Sequence, residues 1–236
     1  TKRALPSLWR TYGIPKNFHR DKVDVYHGLS HELPRNISSY RVGKVVTIHD
    51  LIFKRHPEYF PIADRAFYDM KCKHACLHAD DIVAVSQHTK SDIIKYYGIA
   101  EEKITVIYPA CSDIFYKLDN STEEHDIEYL DLPSEYIMSL GSIEPRKNYD
   151  GLIQAMSLIK KEDRLPLIIV GRGKKSYVAK LMALTRSLNL VKDVIIRSDI
   201  TNQDVIGLYK GAACFVYPSH YEGYGLPITE AILCHT

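Results

Sequence analysis

Residues 136–171 read YIMSLGSIEPRKNYDGLIQAMSLIKKEDRLPLIIVG, and the architecture follows from them. YIMSLG and LPLIIVG are short apolar runs rich in β-branched residues and bounded by glycine and proline, the pattern of buried strands. Between them Leu152, Met156 and Ile159 recur at helical spacing, which predicts a helix with one apolar face. Strand, helix, strand is the repeating unit of a parallel sheet covered by helices.

The same alternation continues in both directions. Towards the N-terminus lie VDVYHGL, KVVTIHD, DIVAVS and KITVIYP, and towards the C-terminus VIIRSD and ACFVYPS. Ala63, Ala66, Phe67, Met70 and Leu77 are spaced as a core-facing helical stripe, as are Val178, Leu181, Leu184 and Leu188. Ser86 precedes the pattern Ile93, Ile94, Tyr97 and Gly98 follows it, an N-cap and a glycine stop. Residues 117–135 break the rhythm: Asp119, Asn120, Glu123, Glu124, His125, Asp126 and Pro133 have neither period. The expectation is an α/β chain of two Rossmann-like, doubly wound domains, covering 1–117 and 136–236 and joined by a linker at 118–135. Thr1 is preceded by no Met or leader, and Thr236 follows a helical pattern with no turn signal. Both ends read as cuts, so both domains are expected to be truncated.

Composition excludes several classes. The 45% hydrophobic and 25% charged residues are ordinary for a globular protein, and no apolar run approaches the roughly 20 residues needed to span a bilayer. A net charge of +2, from 31 basic and 29 acidic residues, creates no field that would favour nucleic acid. Five cysteines without a Cys-x-x-Cys pair make no disulfide framework and fit a reducing cytoplasm. Cys72, His74, Cys76 and His78 suggest zinc by composition alone. On a helix, however, the Cys pair and the His pair point about 200° apart, so four ligands cannot converge.

Two loops carry the chemistry. The strand YIMSLG runs into SIEPRKN (142–148) and a helix, and ligands of open α/β sheets bind beyond the carboxyl ends of the strands. Arg146 and Lys147 in that loop supply a planar fork and a point charge, suited to a diphosphate. The strand ACFVYPS runs into HYEGYGLPITE (220–230). In the strand order 3-2-1-4 the first and fourth strands are neighbours, which brings the two loops together. Gly223 and Gly225 let backbone approach a ligand, Pro227 fits a first helical turn, and Glu222 and Glu230 can accept hydrogen bonds from sugar diols.

At this point the chain resembles the retaining GT-B glycosyltransferases of group 1, family 4. Glu222 and Glu230 match the family's E-x7-E signature, and EPRKN its basic diphosphate loop. TIHDL, AVSQHTKSDI and KITVIYP resemble its acceptor-side domain, and the resemblance runs from about Asp24 to Cys234. It implies two domains facing a cleft. Arg146 and Lys147 would hold the donor diphosphate, Glu230 the ribose, and Glu222 the hydroxyls of the transferred sugar. His49 would face that sugar, and Gly141, Gly223, Tyr224, Gly225 and Leu226 would line the donor site. His27 is a second candidate at a strand end, Arg172 a weaker nucleotide contact, and Ser86 and Thr89 caps. His235 stands where the family usually carries glycine.

The implied reaction moves a hexose from a GDP- or UDP-linked donor, with a mannosyl-type donor preferred, to a glycan or lipid-linked acceptor with retention of configuration. No Asp-x-Asp occurs, so the expected chemistry needs no metal and no cofactor. The expected location is cytoplasmic, with peripheral contact at the inner membrane face through the region preceding this chain. A nucleotide-sugar epimerase of the same fold, which needs further acid and base groups, and a non-catalytic nucleotide-sugar-binding relative are the alternatives. Full-length turnover separates them.

Overall fold

A computed structural model describes residues 9–116 and 127–236, so the first half of the expected linker, residues 118–126, lies outside the described residues. The chain forms two compact units. The first runs to Pro109 and takes in Glu222–Tyr224; the second holds Ala110–Tyr221 and Gly225–Thr236.

All eight apolar runs form strands. In the first unit β1 (Val25–Gly28), β2 (Gly43–Ile48), β3 (Asp81–Ala84) and β4 (Ile104–Val106) make a parallel sheet in that order. Helix α1 (Ile62–His78) follows β2 and α2 (Gln87–Tyr97) follows β3. The core packs Val46, Ile48, Ile82 and Ala84 against Cys72, Ala75, Cys76 and Ile93. Helix α2 is bounded as its sequence requires: the Ser86 hydroxyl accepts from Thr89 N at 3.0 Å, and Gly98 is left-handed at φ 65°.

Helix α1 corrects one expectation. Ala63 and Ala66 are exposed, and Phe67, Met70 and Leu77 keep 47%, 48% and 51% of their surface. The buried face is Cys72, Ala75 and Cys76, small side chains that let the helix axis approach the sheet closely. His78 stays exposed, and its Nδ1 bonds to His74 O at 2.8 Å. The cysteines are therefore core atoms and not half of a ligand set.

In the second unit β5 (Ile137–Leu140), β6 (Leu167–Val170), β7 (Val194–Arg197) and β8 (Cys214–Phe215) are parallel in the order β7-β6-β5-β8, the 3-2-1-4 arrangement expected from sequence. Helices α3 (Tyr149–Leu158), α4 (Lys175–Ser187), α5 (Asp204–Gly211) and α6 (Leu226–Leu233) pack on it. Strand alternation divides β6 between two cores. Leu167 and Ile169 pack with Ile153, Met156 and Leu181, whereas Ile168 and Val170 pack with Met138, Ile206 and Leu208. A strand buried on both faces must be apolar throughout, as LIIV is. The described part of the expected linker, residues 127–135, belongs to this unit: Leu130 is buried and its carbonyl accepts from Arg197 Nη1 at 2.9 Å.

Candidate functional site

Three glycines allow the loops after β5 and β6 to run side by side. Gly141 has φ 149° and Gly171 φ 158°, a region open mainly to glycine. A β-carbon on Gly171 would lie 1.8 Å from Gly141 O, and one on Gly173 2.2 Å from Ile143 O. The contact is held by Gly141 N to Val170 O at 3.0 Å and Ile143 N to Arg172 O at 2.8 Å.

Beyond Ile143 the chain makes a single 3-10 turn, Pro145–Lys147, and Asn148 turns left-handed before α3 begins. Arg146 Nη2 pairs with Glu144 at 2.8 Å, and Ser142 Oγ donates to the same carboxylate oxygen at 2.7 Å. Lys147 is not a solvated basic residue: it keeps only 6% of its surface. Its Nζ donates to Tyr217 Oη at 2.7 Å and lies 4.8 Å from that ring's centroid.

The loop after β8 is joined to this turn, as the strand order requires. His220 N donates to Arg146 O at 3.0 Å, and Asn148 Nδ2 to Pro218 O at 3.2 Å. The chain then passes Glu222 and enters α6 through Gly225, left-handed at φ 96°, with Pro227 in the first turn. Glu230 projects from the second turn, where its Oε2 accepts from Tyr209 Oη at 3.1 Å. Burial raises the Glu230 carboxyl above its ordinary value, and the Tyr209 hydrogen bond opposes that rise. Burial and the adjoining Glu230 carboxylate push the Tyr209 phenol well up, which keeps it a donor.

In the first unit, taken by itself, a histidine cluster lies at the ends of β1 and β2. His49 is exposed and its Nε2 meets Leu29 O at 2.9 Å. A carbonyl only accepts, so Nε2 carries the proton and a neutral His49 presents the Nδ1 lone pair. His27 Nε2 meets Thr47 Oγ1 at 2.8 Å, and the His31 ring lies 5.3 Å from that of His49. Within the same unit a β-carbon on Gly223 would fall 1.8 Å from His49 O. Only glycine permits that approach, which brings the Glu222 segment beside the His49 backbone. Tyr224 packs on Tyr108, with centroids 5.6 Å apart. Thr89 is fully buried and its hydroxyl donates to His49 O at 3.3 Å, a role in the fold.

Arg172 points elsewhere: its Nε donates to Ser198 O at 3.3 Å, and it lines a cavity of about 630 Å³ with Lys175, Met182 and Ile196 under α4. Sequence reasoning missed Tyr217 and Tyr209. Tyr217 falls within the run ACFVYPS, and Tyr209 lies in a stretch to which the sequence reading assigns no element; neither carries a local signal for its partner. Among the described residues no group of three or more His, Cys, Asp or Glu side chains is placed to hold a metal ion, and no helix is long and apolar enough to cross a membrane.

Residues 120–236 match the family Glycosyl transferases group 1, and residues 1–112 match Glycosyltransferase Family 4. The chain belongs to the group 1, family 4 glycosyltransferases. Among curated relatives it is 34% identical to the serotype-specific mannosyltransferase WbdA of Escherichia coli over 80% of this chain and 24% of that protein. It is also 34% identical to O-antigen chain mannosyltransferase B of Escherichia coli, over 91% of this chain and 56% of that protein. The chain thus spans about a quarter to a little over half of the length of these relatives. Among solved structures it resembles a sucrose-phosphate synthase from Thermosynechococcus elongatus, with a TM-score of 0.73 and 19% identity over 94% of this chain and 57% of that one. It also resembles HepE of Anabaena in complex with UDP and glucose, with a TM-score of 0.68 and 20% identity over 99% and 64%. These structures are GT-B glycosyltransferases, and the fold is the GT-B fold.

Proposed function

We propose that the whole protein transfers a hexose from a nucleotide diphosphate sugar to a glycan or lipid-linked acceptor, with retention of configuration and without a metal. The observation that carries this reading is the joining of two loops at neighbouring strand ends. A buried lysine and an arginine stand on one, and the other leads through Glu222 to Glu230. Relatives that are mannosyltransferases support a mannosyl donor, and a structural neighbour solved with UDP supports a nucleotide-linked one. GDP and UDP are the two bases to test.

In the reaction the bond from the anomeric carbon to the donor phosphate oxygen breaks and one from the same carbon to the acceptor oxygen forms on the same face. The acceptor proton passes to the leaving phosphate oxygen. Charge therefore builds on the diphosphate, where Arg146 and Lys147 oppose it. Glu230, oriented by Tyr209, accepts from the ribose diol. Glu222 accepts from the transferred sugar, whose hydroxyl also meets the Nδ1 lone pair of His49. Gly141, Gly223, Tyr224, Gly225 and Leu226 give the donor its close backbone approach. The proposed place of work is the cytoplasmic side, with peripheral contact at the membrane.

The test is turnover of the full-length protein with GDP-mannose and UDP-hexoses in the presence of EDTA, with the product's anomeric configuration read by NMR. Arg146→Ala and Lys147→Ala should each cost about a hundredfold, near 3 kcal/mol, as for a lost oxyanion donor. Turnover within threefold of wild type in both variants contradicts the proposal, and an inverted product contradicts its stereochemistry.

A further inference from the structure

The geometry points to Tyr217 as a positioning residue of the diphosphate site, the side chain that fixes the Lys147 ammonium and so sets selectivity for a diphosphate over a monophosphate. This rests on the reading of Arg146 and Lys147 given above. A buried ammonium has lost its water and needs fixed acceptors for its protons. The Tyr217 oxygen is one of them at 2.7 Å, and the ring centroid at 4.8 Å adds a cation–π attraction.

Tyr217 is itself held. Its ring stacks on Phe215 at 5.9 Å and 23°, and Phe215 lies on β8 in register with Met138 of β5. Val216 N donates to Met138 O at 2.8 Å. The lysine stands in the loop that follows β5 and the tyrosine just beyond β8, so the phenol bridges the loops of adjacent strands. The bonds from His220 N to Arg146 O and from Asn148 Nδ2 to Pro218 O close the same seam. The flexible lysine stem thereby loses its freedom before any ligand arrives, which is preorganisation of a point charge. Its end occupies the space over Gly141, where an added β-carbon would lie 3.6 Å from Cε and 3.7 Å from Nζ.

The test is calorimetric titration of the full-length protein with GDP and UDP against GMP and UMP. Tyr217→Phe keeps the ring and removes only the acceptor oxygen. It should weaken the bound diphosphate roughly tenfold, as expected for a lost hydrogen bond to a charged group, and leave the monophosphate within twofold. Lys147→Met should weaken the diphosphate at least as much, and the double variant no further than Lys147→Met alone. Tyr217→His, which keeps a ring and an acceptor nitrogen, is the second variant and should fall between wild type and Tyr217→Phe. If Lys147→Met weakens the diphosphate and neither tyrosine variant does, the inference on Tyr217 is overturned and the donor site stands. An equal loss of monophosphate and diphosphate in the tyrosine variants overturns it too. If no nucleotide binds, or Lys147→Met has no effect, the donor-site reading itself falls.

Discussion

Replacing Tyr209 with phenylalanine removes one oxygen from a side chain with no exposed surface. That hydroxyl donates to Glu230 Oε2 at 3.1 Å and to Pro227 O at 3.2 Å. Pro227 O keeps its helical partner four residues on, so the loss falls on Glu230. A hydrogen bond to a charged acceptor contributes about 1.5–3 kcal/mol; because Glu230 is only partly buried, about 1–2 kcal/mol is expected for Tyr209→Phe. The loss depends on pH. Burial already raises the folded-state pKa of Glu230, and the Tyr209 bond restrains it, so the variant raises it further. A raised folded pKa means stability that is present in full below the unfolded pKa and lost as pH rises through the folded one. The gap between wild type and variant should therefore be small at about pH 4, where Glu230 is largely protonated in both, and widen to its full value at about pH 7.5. Urea denaturation followed by circular dichroism at the two pH values measures it. A gap equal at both, or absent at the higher one, refutes the reasoning.

Three further outcomes follow from single residues. His235 is left-handed at φ 64°, and the bonds from His235 N to Ile232 O and from Thr236 N to Ala231 O close a Schellman turn. His235→Gly should thus stabilise the chain by about 0.5–1 kcal/mol in denaturant unfolding, and a destabilised variant contradicts this. Gly171→Ala puts a methyl on Gly141 O; it should cost more than about 2 kcal/mol and weaken nucleotide binding, both lost to a β5–β6 separation, and wild-type melting and binding would be the contrary result. Ser86→Ala removes the cap of α2 and should cost about 1 kcal/mol by the same denaturation assay, with nucleotide affinity unchanged.

The sheet order and the two loops were legible because they depend on local pattern. LIIV, buried throughout, and VIIR, which is half-buried, have the composition and length of strands, and the 3-2-1-4 order then makes neighbours of the strands that carry EPRKN and HYEGYG. His235 was legible as a departure from the family, and its left-handed backbone supplies the reason glycine is usual there. Helix α1 misled because its apolar residues by hydropathy, Phe67 and Met70, are not those that face the sheet; close approach selected Cys72, Ala75 and Cys76. Tyr217 and Tyr209 could not be found from sequence, since they meet Lys147 and Glu230 across separations of 70 and 21 residues. Their partners are created by strand pairing and helix packing, which no window of sequence contains.

The most direct test of the account is calorimetric titration of this chain and the full-length protein with GDP, UDP and ADP, with and without EDTA. The account predicts that the full-length protein binds one of these nucleotides tightly, with EDTA making no difference and Glu230→Ala weakening it. Failure of the full-length protein to bind any of them, or binding abolished by EDTA, would contradict it.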